Sequence, residues 1–166
     1  MSYLPYTKAD FCVIITKNTA TEGIEMNVFD VIGPVMIGPS SSHTAGAVRL
    51  GRVAWKALDD EPVKAEIELT GSFATTYKGH GTDKALIAGC MGMNPYDDDI
   101  RRSLEIADER GIEYSFTKVK LPDAHPNTAL IRLYGKSGKK AVVEGASVGG
   151  GNILVQKLDG LKISFT

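Results

Sequence analysis

Residues 63–70, VKAEIELT, alternate without a break: Val63, Ala65, Ile67 and Leu69 on one face, Lys64, Glu66, Glu68 and Thr70 on the other. A period of two is that of a strand with one face buried. The stretch before it has a different period. From about Ser42 the residues Leu50, Val53, Ala54, Ala57 and Leu58 fill one arc of a helix. Arg49, Arg52 and Lys56 lie on the opposite stripe and read as a solvated face, and Pro62 ends the element. NVFDVIG (27–33) reads as a short helical turn broken at Gly33-Pro34.

After the strand, GSFATTYKGHGTDKALIAGCMG (71–92) reads as a loop or short helix and then a helix from about Thr82 to Met91. Thr82 is the expected N-cap, with Leu86, Ile87 and Cys90 on the apolar face. DDDIRRSLEIADERG (97–111) is a further helix. Its three aspartates suit the positive N-terminal end, Ile100, Leu104 and Ala107 face inward, and Gly111 stops it. The remainder is strand-like: IEYSFTKVK, TALIRLYG, KKAVVEGASVG and NILVQKLDGLKISFT, with Ser137-Gly138 as a hairpin turn. One strand among the helices and the rest after them predicts an α+β domain, with helices on one face of a mixed or antiparallel sheet.

Composition narrows the function classes. The 166 residues suffice for one domain with a real core, and 43% apolar against 23% charged excludes a disordered chain. Nineteen basic against twenty acidic residues give a net charge of -1, so no basic excess points to nucleic acid or an anionic membrane. No apolar run reaches the roughly 20 residues of a membrane span. Two cysteines, Cys12 and Cys90, make a disulfide framework improbable and a cytoplasmic location the expectation. Residues 1–25 differ in texture from the rest of the chain and are expected to be an extension without function; residues 26–166 form the domain.

Three histidines sit in three loops. GPSSSHTAG places His43 and the hydroxyls of Ser40, Ser41, Ser42 and Thr44 at a helix start, where free amides and the helix dipole suit a carboxylate or phosphate. An ordinary capped helix accounts for the same residues. TTYKGHGTDK (75–84) flanks His80 with Gly79 and Gly81 and adds Lys78, Thr82 and Asp83 at a second helix start; a flexible turn is the simpler reading. PDAHPNTA (122–129), with His125, reads as a structural turn. EGASVGGGNI (144–153) permits a close backbone approach or a mobile hairpin. Two cysteines alone hold neither zinc nor an iron–sulfur cluster, so no metal is expected on this chain's own residues.

FDVIGPVMIGPSSSHTAGAVRLGRVA (29–54) resembles the N-terminal signature of the beta chain of bacterial iron–sulfur-dependent L-serine dehydratases, and GSFATTYKGHGTDKALIAG (71–89) resembles a second long block of that family. The resemblance covers residues 26–165 and implies more than the patterns do. The family deaminates L-serine to pyruvate and ammonia with an oxygen-sensitive [4Fe–4S] cluster ligated by an alpha chain or alpha domain, so the implied partners are L-serine, an alpha chain and further copies in a homo- or hetero-oligomer. The implied fold is similar to the allosteric substrate-binding domain of D-3-phosphoglycerate dehydrogenases. A C-terminal ACT domain, common in the family, would begin about where LKISFT ends, which makes the chain a fragment on this reading. His43 is then the expected base for the Cα proton, with Ser40, Ser41, Ser42 and Thr44 as carboxylate or hydroxyl contacts. His80, with Lys78, Thr82 and Asp83, would line the same cleft. The alternative from another class is a non-catalytic regulatory module that binds serine or a phosphate-like anion; a scaffold that only stabilises the alpha chain is a third.

Overall fold

A computed structural model describes residues 40–166. The extension expected at 1–25, the helical turn expected at 27–33 and Cys12 lie outside the described residues. Among the described residues, the elements run as a π-helical turn Ser42–Gly46, α1 (Ala47–Leu58), β1 (Pro62–Leu69), α2 (Gly71–Thr76), α3 (Thr82–Cys90), a 3₁₀ turn Asp98–Arg102, α4 (Ser103–Glu109), and β2 (Glu113–Lys118), β3 (Thr128–Gly135), β4 (Lys140–Gly149), β5 (Asn152–Leu158) and β6 (Leu161–Phe165). The fold is α+β, as the order of patterns predicts.

The strands form one six-stranded sheet in the order β2-β1-β3-β4-β5-β6. It is mixed: β1 and β2 are parallel, joined by a crossover that carries α2, α3 and α4, and every other neighbouring pair is antiparallel. Register follows the alternation. Ile67 pairs with Ile131 and Ile131 with Val143; Ala65 pairs with Leu133 and Leu133 with Ala141. These side chains are buried on one face, where α1 packs over β3 and β4. Each large aliphatic side chain so buried contributes about 1.5–3 kcal/mol. A register slip of one residue would turn the whole set to the other face.

That other face carries the polar half of the alternation, and its charges pair across strands. Arg132 meets Glu68 at 2.6 Å, Lys157 meets Glu144 at 2.8 Å, and the Tyr134 hydroxyl donates to Glu66 at 2.9 Å.

Two small residues bring α1 and α3 together. A Cβ on Gly51 would lie 2.8 Å from the Cys90 amide, and one on Gly89 would lie 2.9 Å from Gly51 Cα. The helices therefore cross backbone to backbone, which brings the loops preceding them close together. Ser103 Oγ donates to the Lys84 carbonyl at 2.7 Å and ties α4 to α3.

Four expectations need correction. The 97–111 helix is two pieces, a 3₁₀ turn and then α4, although Ile100 and Ala107 are buried as expected. The basic stripe of α1 is not simply solvated: Arg49 Nη1 donates to the Gly151 carbonyl at 2.7 Å, and Arg52 donates to the Met93 carbonyl and the Asn94 side chain. Both arginines use their length to staple distant loops to the helix. Thr82 does not cap α3. Gly81, at φ 69°, holds the cap position without a side-chain bond, and Thr82 is the first helical residue. The last strand-like stretch also divides in two, at an Asp159-Gly160 turn with both residues at positive φ, a pairing suited to a tight hairpin.

Candidate functional site

The hydroxyl-rich run GPSSSHTAG leads into α1 through a π-helical turn. The Gly46 amide reaches back to the Ser41 carbonyl at 3.0 Å, while the Thr44 amide bonds the Ser40 carbonyl at 2.8 Å. Widened turns of this kind recur at functional sites. Gly46 is required where it stands: a Cβ there would collide with the Ser147 side chain at the end of β4. The amides of His43 and Thr44 are already engaged, the first by Ser40 Oγ at 3.4 Å. The helix start therefore offers an anion fewer free donors than an open first turn would.

His43 is 8% exposed, and both ring nitrogens have hydroxyl partners. Nδ1 faces Ser40 Oγ at 3.3 Å. Nε2 faces Thr76 Oγ1 at 3.1 Å and Ser72 Oγ at 3.3 Å. Phe73 presses edge-on at a centroid distance of 5.2 Å. Ser72, Phe73 and Thr76 all come from α2. The spacing i to i+4 puts Ser72 and Thr76 on one side of that short helix, where both reach the same nitrogen.

His80 is exposed, yet its ring stands edge-on to His43 with centroids 4.7 Å apart. Its position is set by the backbone. The His80 amide bonds the Thr76 carbonyl at 3.0 Å and the Thr82 amide bonds the Tyr77 carbonyl at 2.8 Å, so α2 winds straight on into the loop that starts α3. Burial holds the His43 pKa below its ordinary 6.5, and the charge of His80 lowers it further. Near neutral pH His43 is an uncharged imidazole, competent to accept a proton.

The other expected site residues are arranged less tightly. Ser41 and Ser42 are half-buried and Thr44 is 3% exposed. Lys78 is exposed, with Nζ 5.9 Å above the Tyr77 ring. Thr82 is fully buried, and its Oγ1 has no hydrogen-bond partner among the described residues. Asp83 is 9% exposed and takes the Lys84 amide on Oδ1 at 2.8 Å. Burial raises its pKa, and the Lys84 amide and charge partly offset that rise. Among the described residues none of Lys78, Thr82 and Asp83 hydrogen-bonds His43.

Ser72 and Thr76 are the site residues that sequence reasoning missed. The signal is the i, i+4 pair of hydroxyls in GSFATT, visible only once that stretch is taken as helical. His125 is a turn residue, as expected: it is exposed, and its Nδ1 accepts from the Asn127 amide at 3.1 Å. The glycine run makes the β4–β5 turn and is fixed to α1 by Arg49.

Among the described residues no three of His, Cys, Asp and Glu converge on a point that could hold a metal ion. Burial pushes the Cys90 thiol up to about 12, which keeps it protonated and a poor ligand. These residues do not fit an iron–sulfur cluster. No helix among them is long and apolar enough to cross a membrane.

A buried imidazole framed by hydroxyls, with a second histidine at its edge, sits in an α+β domain with helices on one face of a mixed sheet. Residues 27–110 match the family model described as serine dehydratase beta chain, and the chain belongs to that family. It is 46% identical over 140 residues to the "Probable L-serine dehydratase, beta chain" of Bacillus subtilis (strain 168), an alignment covering 84% of this chain and 63% of that one. It is 43% identical over 142 residues to the "L-serine dehydratase, beta chain" of Peptoniphilus asaccharolyticus, covering 85% and 64%. The "L-serine dehydratase" of Helicobacter pylori (strain ATCC 700392 / 26695) is 28% identical over 147 residues, covering 75% of this chain and 32% of that protein. The chain thus spans just under two thirds of the length of the two beta chains it matches.

Proposed function

We propose that the chain is the beta subunit of an L-serine dehydratase, a lyase that converts L-serine to pyruvate and ammonia together with an alpha chain. The observation that carries the proposal is the convergence of the two family blocks. His43 from the first is enclosed by Ser72, Phe73 and Thr76 from the second and met by its His80. Beta-elimination of serine needs a neutral base at the Cα proton, donors for the carboxylate and an acid for the departing β-hydroxyl. In this reading His43 holds the proton taken from Cα. Ser40, Ser41, Ser42 and Thr44 would contact the carboxylate or hydroxyl, with His80 and Lys78 exposed beside them and Thr82 and Asp83 buried behind. In this reading the cluster is carried by the alpha chain, as the resemblance to the family implies.

An alpha part also suits the coverage of one relative. The Helicobacter protein, named simply L-serine dehydratase, matches over only about a third of its length, which leaves room for a second part in the same polypeptide. The test is anaerobic reconstitution with the alpha chain, then a serine-to-pyruvate assay. Turnover that needs both chains supports the reading; a cluster-loaded alpha chain that gains nothing from this one overturns it.

A further inference from the structure

Hydroxyl protons can be counted around His43, and the count decides which ring nitrogen carries the hydrogen. Thr76 Oγ1 lies 2.8 Å from the Ser72 carbonyl, a group that only accepts, so the single Thr76 proton is spent there. Toward Nε2, at 3.1 Å, Thr76 can then only accept. On the other side of the ring the His43 amide, which only donates, reaches Ser40 Oγ at 3.4 Å. A lone pair of Ser40 is used on that amide and its proton is left for Nδ1, at 3.3 Å. Ser72 Oγ, at 3.3 Å from Nε2, can take either role and accepts without conflict.

From this we infer that Thr76 is a positioning residue that locks neutral His43 as the Nε2–H tautomer, so that its basic lone pair, on Nδ1, faces Ser40. Any proton His43 accepts enters at Nδ1, directly or by way of the Ser40 hydroxyl, whose own proton passes to Nδ1 as it takes up another. Ser40 thereby differs from Ser41 and Ser42, which make no hydrogen bond to the ring among the described residues. The tautomer does not depend on the identity of the substrate; the step from tautomer to turnover rests on the serine dehydratase reading.

The experiment is two-bond ¹H–¹⁵N correlation spectroscopy of the ¹⁵N-labelled chain at neutral pH, with His43 assigned by its loss in His43→Gln. The averaged ring nitrogen shifts report the ratio of the two tautomers. Wild type is expected to show Nε2–H. In Thr76→Val, which keeps the shape and removes the acceptor, the ratio should fall about tenfold, the equivalent of one net hydrogen bond. Thr76→Ser should restore it. Wild-type His43 with its hydrogen on Nδ1 overturns the inference without any variant, and so does a ratio that is the same in wild type, Thr76→Val and Thr76→Ser. With the alpha chain, Thr76→Val should lower kcat by no more than the ratio falls, at most about tenfold, because only the Nε2–H fraction is productive, with KM unchanged and Thr76→Ser near wild type. A reconstituted complex that never deaminates serine removes the functional reading and leaves the tautomer result standing.

Discussion

His43 and His80 start from nearly the same sequence setting and end in opposite environments. Each sits in a small-residue loop just before a helix, yet His43 is buried with a hydroxyl partner on both ring nitrogens, and His80 is exposed and touches His43 only through its ring edge. The difference arises from what each loop packs against. The His43 turn lies under α2 and beside β4, whereas the His80 loop is the outer bend between α2 and α3. A fixed orientation and a depressed pKa keep His43 an uncharged acceptor near neutral pH, whereas the His80 ring is open to solvent.

Turnover gives the largest separation between the two. In the reconstituted enzyme His43→Ala should lower kcat by about a hundred- to ten-thousandfold, the span of a positioned general base. His80→Ala should lower it by much less, because His80 is exposed and meets His43 only through its ring edge. Equal losses for both would abolish the distinction, as would full activity of His43→Ala.

Stability separates the loops next. In the His43 turn, a Cβ on Gly46 would run into Ser147, which is fully buried and has no room to move aside. Gly46→Ala should destabilise by about 1–3 kcal/mol, the usual range for overpacking. In the His80 loop, a Cβ on Gly79 would find its nearest neighbour, the Thr76 carbonyl, at an ordinary 3.7 Å. Gly79→Ala should be neutral or stabilise by up to about 1 kcal/mol through the unfolded chain. Urea midpoints of the two variants test this; a Gly46→Ala midpoint equal to wild type would show that the turn yields.

The same contrast explains what could be read in the sequence. Alternation in VKAEIELT and TALIRLYG reports burial directly, because a strand's period and its buried face are set by local geometry; Ala65, Ile67, Leu69, Ile131 and Leu133 obey it, whereas Val63, at the start of β1, is exposed and Thr70, just beyond its end, is buried. The two histidine loops are visible only as candidates, since an ordinary capped helix and a flexible turn account for the same residues. The tertiary partners of those loops are not visible. Ser72 and Thr76 read as polar filler until α2 turns them onto Nε2, and Arg49 and Arg52 read as a wet stripe until the Gly151 and Met93 carbonyls come within reach. Such pairings join residues far apart in the chain, and periodicity carries no information about them. Thr82 fails as a cap for a local reason: Gly81 takes the left-handed conformation that the sharp turn into α3 needs and so becomes the boundary residue.

The finest test of the contrast is titration. Burial is the larger cause of the low His43 pKa and the His80 charge the smaller. In His80→Gln the charge is gone and the burial remains, so the His43 midpoint, tracked by NMR, should rise but stay below 6.5. The sign for stability comes from linkage. The folded value is depressed, so the unfolded chain takes up the proton first as the pH falls. The stability from this residue is present above 6.5 and is lost as the pH drops through the folded midpoint. His43→Gln should therefore flatten the fall in melting temperature below pH 6.5, and His80→Gln should flatten it partly, because His43 is then easier to protonate in place. A midpoint that moves down in His80→Gln would mean that His80 supports the His43 imidazolium rather than opposing it, and the division of labour between the two rings would have to be reversed.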